Sequence, residues 1–412
     1  MTSLTARHPL RRVASRTRAA ILLPLAAACW ESPPAGHDAV RYDTLGGVVH
    51  VTTDGDGWTD AEAWRIGPAR VRIGRIEGGG PDEFGQIASV AVGPTGRLFV
   101  ADGQALEIRV FDAAGAYLYG FGRKGEGPGE FEAVDGLLAL ANAILVRDPR
   151  LFRVSRFAPD GTFESSHRLE RGFLIFSDGT TFWSDDDGRV YDRVTLSMVI
   201  GDPERIGLIT YEPDMSGVDT TELASRDIPR IMATRGELPV GSVIAPFAAR
   251  PVVTVNAKGQ LGWTSGDEHQ IVTLNRSGDT LRVFGRDARP EPLSREEGEV
   301  ELDVLREWAD EMFGSATLGE AELPTHKPVA TRLIADAAGN WWLGRYRSER
   351  DPDDPTAHVP TSWDVYEPDG RWLGSVEVPP IRVMQIGADF VAGIEVDDLG
   401  VNYAMVYTLE KP

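Results

Sequence analysis

One cysteine, Cys29, stands in 412 residues, so no disulfide can form within the chain. The seven histidines are scattered, with no His-x-x-x-His or His-Glu-x-x-His spacing, which removes the linear zinc motifs. Neither a Gly-x-Ser-x-Gly elbow nor Ser-x-x-Lys occurs, so the linear signatures of a serine nucleophile are missing as well. Long apolar runs are also lacking. The stretch "AAILLPLAAAC", ending at Cys29, falls short of the roughly 20 residues an ordinary transmembrane helix needs. Positive charge is scarce, with 42 Lys and Arg against 63 Asp and Glu for a net charge of −21. Nucleic acid is therefore not an expected partner, because phosphates demand a basic face. The acidity itself is read as a source of solubility.

The N-terminus is arranged for removal. Arg7, Arg11, Arg12, Arg16 and Arg18 precede the apolar run, giving the charged region, short apolar region and small-residue site of a signal peptide over residues 1–28. Loss of that segment would leave the remainder five charges more negative. "LAAAC" resembles the lipobox of bacterial lipoproteins, although Ala26 stands where that family more often has Leu. The resemblance implies lipidation at Cys29, membrane attachment in the cell envelope, and a Pro-rich tether over 29–45. With the lone cysteine in this segment, a thiol nucleophile is not expected.

What the chain does have is 45 Gly and 27 Pro beside 42% hydrophobic residues, enough for a sizeable core in a chain that turns often. "FGRKGEGPGEF" at 121–131 is dense in glycine, yet Gly129 is followed by Glu130, Phe131 and another strand pattern. A phosphate loop needs Lys-Ser/Thr and a helix there. The stretch is instead one member of a repeat: "GPDEF" at 80–84 returns as "GPGEF" at 127–131, "FVAD" at 99–102 as "LVRD" at 145–148, and "VFDAAG" at 110–115 as "RFAPDG" at 156–161. A period in the middle forties suits a four-stranded propeller blade. "IASVAV", "GRLFVAD", "EIRVFDAAG" and "YLYGFGR" supply the four strands, and the glycine-rich stretch becomes the crossover to the next blade. Phe84 and Phe131 are expected between neighbouring blades. Asp102 and Asp148, which end the Val-x-Asp signature, are expected to bond turn amides.

"EFGQIASVAVGPTGRLFVADGQALEIRVFDAAGAYLYGFG" resembles the NHL-type repeat, whose pattern is Gly-x-Phe, a strand, Asp/Asn-x-Gly-x-hydrophobic-Val-x-Asp, then Arg-hydrophobic-x-hydrophobic-Phe-x-x-x-Gly. The match covers residues 73–165 and is nearest to exported six-bladed bacterial propellers, which implies that fold here.

Further units follow, degenerate over 172–217 and clear over 252–286, with a loop excursion expected over 218–245. "SREEGEVELDVLREWADEMFGS" at 294–315 places Val300, Leu302, Val304, Leu305, Trp308 and Met312 mainly three or four apart. This predicts an inserted amphipathic helix within about 286–326 that packs its apolar stripe on the propeller. A fifth unit carries an insertion at "ERDPDDPTAHVPT", and the sixth has three strands, so "ARVRIG" at 69–74 is expected to complete it. The expected fold is all-β: a six-bladed β-propeller of four-stranded antiparallel blades over 46–412, with seven blades if 172–245 holds two.

No catalytic constellation is legible. "DDD" at 185–187 and "DPDD" at 351–354 leave Ca²⁺ or another divalent ion open, without EF-hand spacing, and no cofactor is predicted. Arg and Trp suit glycan and peptide pockets, which singles out Arg123, Arg286, Arg345, Trp263 and Trp342 as candidate ligand contacts. Trp183, Trp341, Trp363 and Arg75 lie in comparable places; for most of these Trp inter-blade packing is the commoner use, and for Arg75, Arg123 and Arg286 the plainer reading is bracing of the crossover. The expected function is a monomeric binding or scaffold module for a protein, peptide or glycan. The alternative is a metal-dependent, lactonase-like hydrolase or lyase with its site at the channel mouth.

Overall fold

A computed structural model describes residues 39–169, 182–197, 203–314, 316–320, 322–347 and 358–412. Residues 1–38, with Cys29 and most of the expected tether, and the acidic run 351–354 lie outside the described residues.

The chain is built from successive four-stranded antiparallel meanders. The first sheet holds Ile87–Val92, Leu98–Asp102, Glu107–Phe111 and Tyr117–Phe121; the second holds Gly136–Ala139, Ile144–Asp148, Arg153–Phe157 and Phe163–Arg168. The third comprises Phe182–Ser184, Val190–Ser197, Glu204–Tyr211 and Val218–Arg226. Val252–Val255, Leu261–Thr264, Gln270–Leu274 and Thr280–Arg286 form the fourth, and Ala330–Ala335, Trp341–Arg345, Ser362–Tyr366 and Trp372–Glu377 the fifth. Arg382–Ile386, Phe390–Val396 and Asn402–Glu410 make the last, whose outer strand is Arg65–Ile73 from the start of the chain. First strands of successive sheets lie side by side, and Arg382–Ile386 lies beside Ile87–Val92. This is the architecture of a β-propeller.

Two stretches differ from expectation. Val218–Arg226 pairs with Glu204–Tyr211 as an ordinary outer strand, so the excursion begins only at residue 227. Its sequence, "VDTTELASR", is too polar for alternation to stand out. Ala39–Leu45, within the range read as tether, pairs with Val48–Asp54, which runs parallel to Thr280–Arg286 and widens the fourth sheet. Gly46 and Gly47, at φ +59° and +88°, make the tight turn that a two-residue hairpin of this hand requires.

The crossovers show how the repeat residues work. Phe131 is fully buried between the first and second sheets with Ile108, Leu137 and Phe157, its ring centroid 5.9 Å from that of Phe157. A Cβ on Gly122 (φ +86°) would stand 2.3 Å from the Phe131 ring, so only glycine lets the backbone pass. The Asp102 carboxylate accepts from the amides of Gly85 (3.1 Å), Gln104 and Ala105 (both 3.0 Å). Asp148 accepts likewise from Glu132 (2.8 Å), Arg150 and Leu151 (both 3.0 Å). Each therefore ties a crossover to the turn beside it. Arg153 closes the same crossover by donating to the carbonyls of Glu126, Gly127 and Glu130.

Charge also joins the sheets. Buried Arg147 of the second sheet meets Asp135 (Nη1–Oδ2, 2.5 Å) and Asp192 of the third (Nε–Oδ1, 3.0 Å). Burial outweighs this guanidinium and pushes the Asp192 carboxyl up to about 6, with Asp135 raised as well.

Candidate functional site

In an antiparallel meander, the connections leaving a fourth strand and those between the second and third strands emerge on one face. Three long excursions leave this chain at such places: residues 227–251, 287–329 and 346–361. The first two combine. Thr317–Leu318 adds a strand to the hairpin Arg230–Arg235 and Leu238–Ile244, and helix α1 (Arg295–Phe313) packs on it through Leu302, with Ile231, Val243 and Ala245 forming a small separate core. Ser294 starts α1 with a reciprocal capping box to Glu297, which satisfies amides that the first turn leaves free. Buried Lys327 holds the insertion's two ends together, its Nζ 2.6 Å from carboxylate oxygens of both Glu291 and Glu297.

The packing expected of α1 is corrected by the structure. Leu302 is buried and Leu305 half-buried, but Val300, Val304, Trp308 and Met312 face outward, 58%, 54%, 45% and 58% exposed. The helix has two apolar stripes, and Gly298, Leu302 and Ala309 make up its buried side.

Between this accessory layer and the fourth sheet lies a cleft of about 1130 Å³. Ile228, Met232 and Phe247 form part of one wall, while His269, Arg286 and Arg289 contribute to the rest. Phe247 holds a left-handed backbone (φ +58°), as Leu106, Phe152 and Met215 do at turns, a conformation that is costly for a bulky residue. Its ring meets Tyr346 edge to face at 6.2 Å. The Arg226 guanidinium is paired with Asp267 across the cleft wall, and exposed Arg289 has no ion pair with another described residue.

Two predicted residues converge behind this wall. Arg286 lies over Trp372, 3.8 Å from the ring centroid, and 3.5 Å from Asp364 Oδ1. Arg345 approaches Asp364 Oδ2 at 3.7 Å. Asp364 is fully buried and also accepts from Ser375 Oγ (2.7 Å) and Trp372 Nε1 (3.3 Å). Burial holds the neighbouring His269 below the ordinary imidazole range, so the ring is neutral at pH 7, and its Nδ1 has no hydrogen-bond partner among the described residues. Asp364 was missed by sequence reasoning, yet it carried a signal: an acid inside "SWDVY", between two aromatics on a buried strand.

The other candidates lie elsewhere. Arg123 pairs with Glu130 inside the crossover loop, as Arg75 does with Asp82. Trp263 is half-buried against the core between the third and fourth sheets. Trp342 is fully buried, its Nε1 donating to Asp336 (3.2 Å) and its ring 5.8 Å from Trp64. It presents no surface to a ligand, and Trp341 and Trp363 are equally buried.

Among the described residues no three His, Cys, Asp or Glu side chains gather as a metal-binding group. In the run 185–187, Asp185 accepts from Tyr191 (2.7 Å) and Arg276 (2.8 Å), and Asp187 from Arg189 and Arg276. The first strands of all six meanders line a narrow channel of about 230 Å³, whose one described acid, Asp336, is bonded to Asn340 and Trp342.

No family model matches the sequence, and no curated protein matches it either. Solved structures do. A member of the DUF4221 family from Bacteroides vulgatus superposes with a TM-score of 0.51 at 12% identity, over 85% of this chain and 99% of its own. A Bacteroides fragilis protein described as exported gives 0.46 at 10% identity, over 88% and 98%. Virginiamycin B lyase from Staphylococcus aureus gives 0.38 at 11% identity, over 85% and 100%. At such identities the likeness concerns the fold. No described helix is long and apolar enough to cross a membrane.

Proposed function

We propose that this chain is an exported, lipid-anchored binding module, a monomeric six-bladed propeller of the NHL-like kind that takes a protein, peptide or glycan ligand. The observation that carries the reading is the cleft of about 1130 Å³ at the foot of the accessory layer. Its size is that of a ligand site, the face it occupies collects the long excursions, and Phe247 and Arg289 offer a platform and a cation. Six meanders, with Arg65–Ile73 as the outer strand of the last, support the blade count. The NHL kinship rests on the repeat residues of 73–165. The hydrolase or lyase alternative has no specific observation among the described side chains in its favour.

Ala248 lines the cleft, and Ala248→Trp puts a bulky ring into it. Wild-type protein is expected to retain ligands from a glycan array, a peptide library or an envelope extract that this variant loses by about tenfold or more, roughly 1.4 kcal/mol. Equal retention by both proteins sinks the cleft as the ligand site. The anchor has its own test: Cys29→Ala is expected to move the protein from the membrane fraction to the soluble fraction of the envelope, and an unchanged distribution would remove lipidation from the account.

A further inference from the structure

The outward stripe of α1 leaves four large apolar side chains uncovered on one helix face. Val300, Val304, Trp308 and Met312 succeed one another at i+4, covering about 18 Å at 1.5 Å per residue. Glu307 and Glu311 border the stripe on one side, and Glu301 lies on its other flank. Over its length α1 carries eight acids and two arginines, with no basic residue in its last turn. Asp310 and Glu311 thus stand at the negative end of the helix dipole, where carboxylates are unfavourable. Among the described residues Arg235 reaches the helix end, donating to the carbonyls of Phe313 and Gly314.

We propose that this face docks a basic amphipathic helix of another protein. The apolar stripe fits the i, i+3, i+4, i+7 anchors of a helix laid along it, and the acids along its margins select lysines or arginines flanking those anchors. A second copy of α1 would bring acid against acid, and an anionic bilayer would be repelled by the same carboxylates. This surface lies outside the ligand cleft, and the inference does not depend on what that cleft binds.

The test uses the full chain and a fluorescein-labelled 18-residue peptide of leucine and lysine, with leucine at helical spacing, followed by anisotropy. A one-to-one complex is expected, weakened about tenfold or more by Val304→Ser with Met312→Ser, and similarly by Glu307→Lys with Glu311→Lys. Reversal at exposed Glu377, on the fifth sheet, is expected to leave it unchanged, which separates docking from attraction to an acidic protein at large. All substituted side chains are exposed, so unchanged thermal midpoints are expected. The proposal is overturned if the Glu377 variant weakens binding as much as the helix variants, or if neither helix pair matters. It is also overturned if sedimentation shows a dimer that Val304→Ser with Met312→Ser dissolves, or if anionic vesicles bind the wild type through this stripe.

Discussion

Arg147→Met is expected to cost about 3–5 kcal/mol of stability at pH 7, the loss that follows when one partner of a buried ion cluster is removed. Methionine keeps most of the length, so the loss reflects Asp135 and Asp192 left in the core without their cation. The effect should shrink as pH falls below 6, where the Asp192 carboxyl takes up its proton. Wild-type behaviour carries the same sign. Asp192 has a folded-state value of about 6, above the ordinary value for an aspartate, so the folded state binds this proton more tightly. Its stabilising contribution is fully present below about pH 4 and is lost as pH rises through 6, up to about 3 kcal/mol. Asp192→Asn should flatten that part of the profile. Thermal midpoints of the three proteins between pH 4 and 8 decide the matter; parallel wild-type and Asp192→Asn curves would refute the assignment.

Phe131→Ala is expected to cost about 3–5 kcal/mol, the range for deleting a buried aromatic side chain. The cavity would open between the first and second sheets, so hydrogen exchange should accelerate there first. Arg123→Ala, eight residues earlier in the same crossover, removes an exposed ion pair and should change stability by less than about 1 kcal/mol. A similar cost for the two variants would mean that the crossover is held by charge rather than by the phenylalanine.

Much of the fold could be read because its repeat rests on residues with narrow physical duties. Phe131 fills an inter-sheet space, Asp102 and Asp148 gather turn amides, and glycines pass where a Cβ would collide. Val218–Arg226 escaped because a polar outer strand shows little alternation. The exposed stripe of α1 was misread for a different reason: a helical period reveals that apolar residues share a face, but not whether a second face also exists. The candidate site was only half legible. Arg286 and Arg345 stood at strand ends and were singled out, whereas their meeting at Asp364 depends on two sheets being brought together, with Arg286 and Asp364 78 positions apart. The accessory layer joins excursions from different sheets, and no local pattern announces such a union.

The pairing of Arg65–Ile73 with Asn402–Glu410 also sets an order of events during synthesis. The early strand leaves the ribosome long before its partner exists, and Ile73 must wait for Ala404. Until then two hydrogen-bonding edges stay open, each a template for joining another chain. A product that stops short of Asn402 keeps nearly all its sheets yet cannot seat its outermost early strand. Sticky, protease-sensitive molecules are the expected fate of such truncations, so Asn402–Glu410 acts as the latch that retires both edges at once.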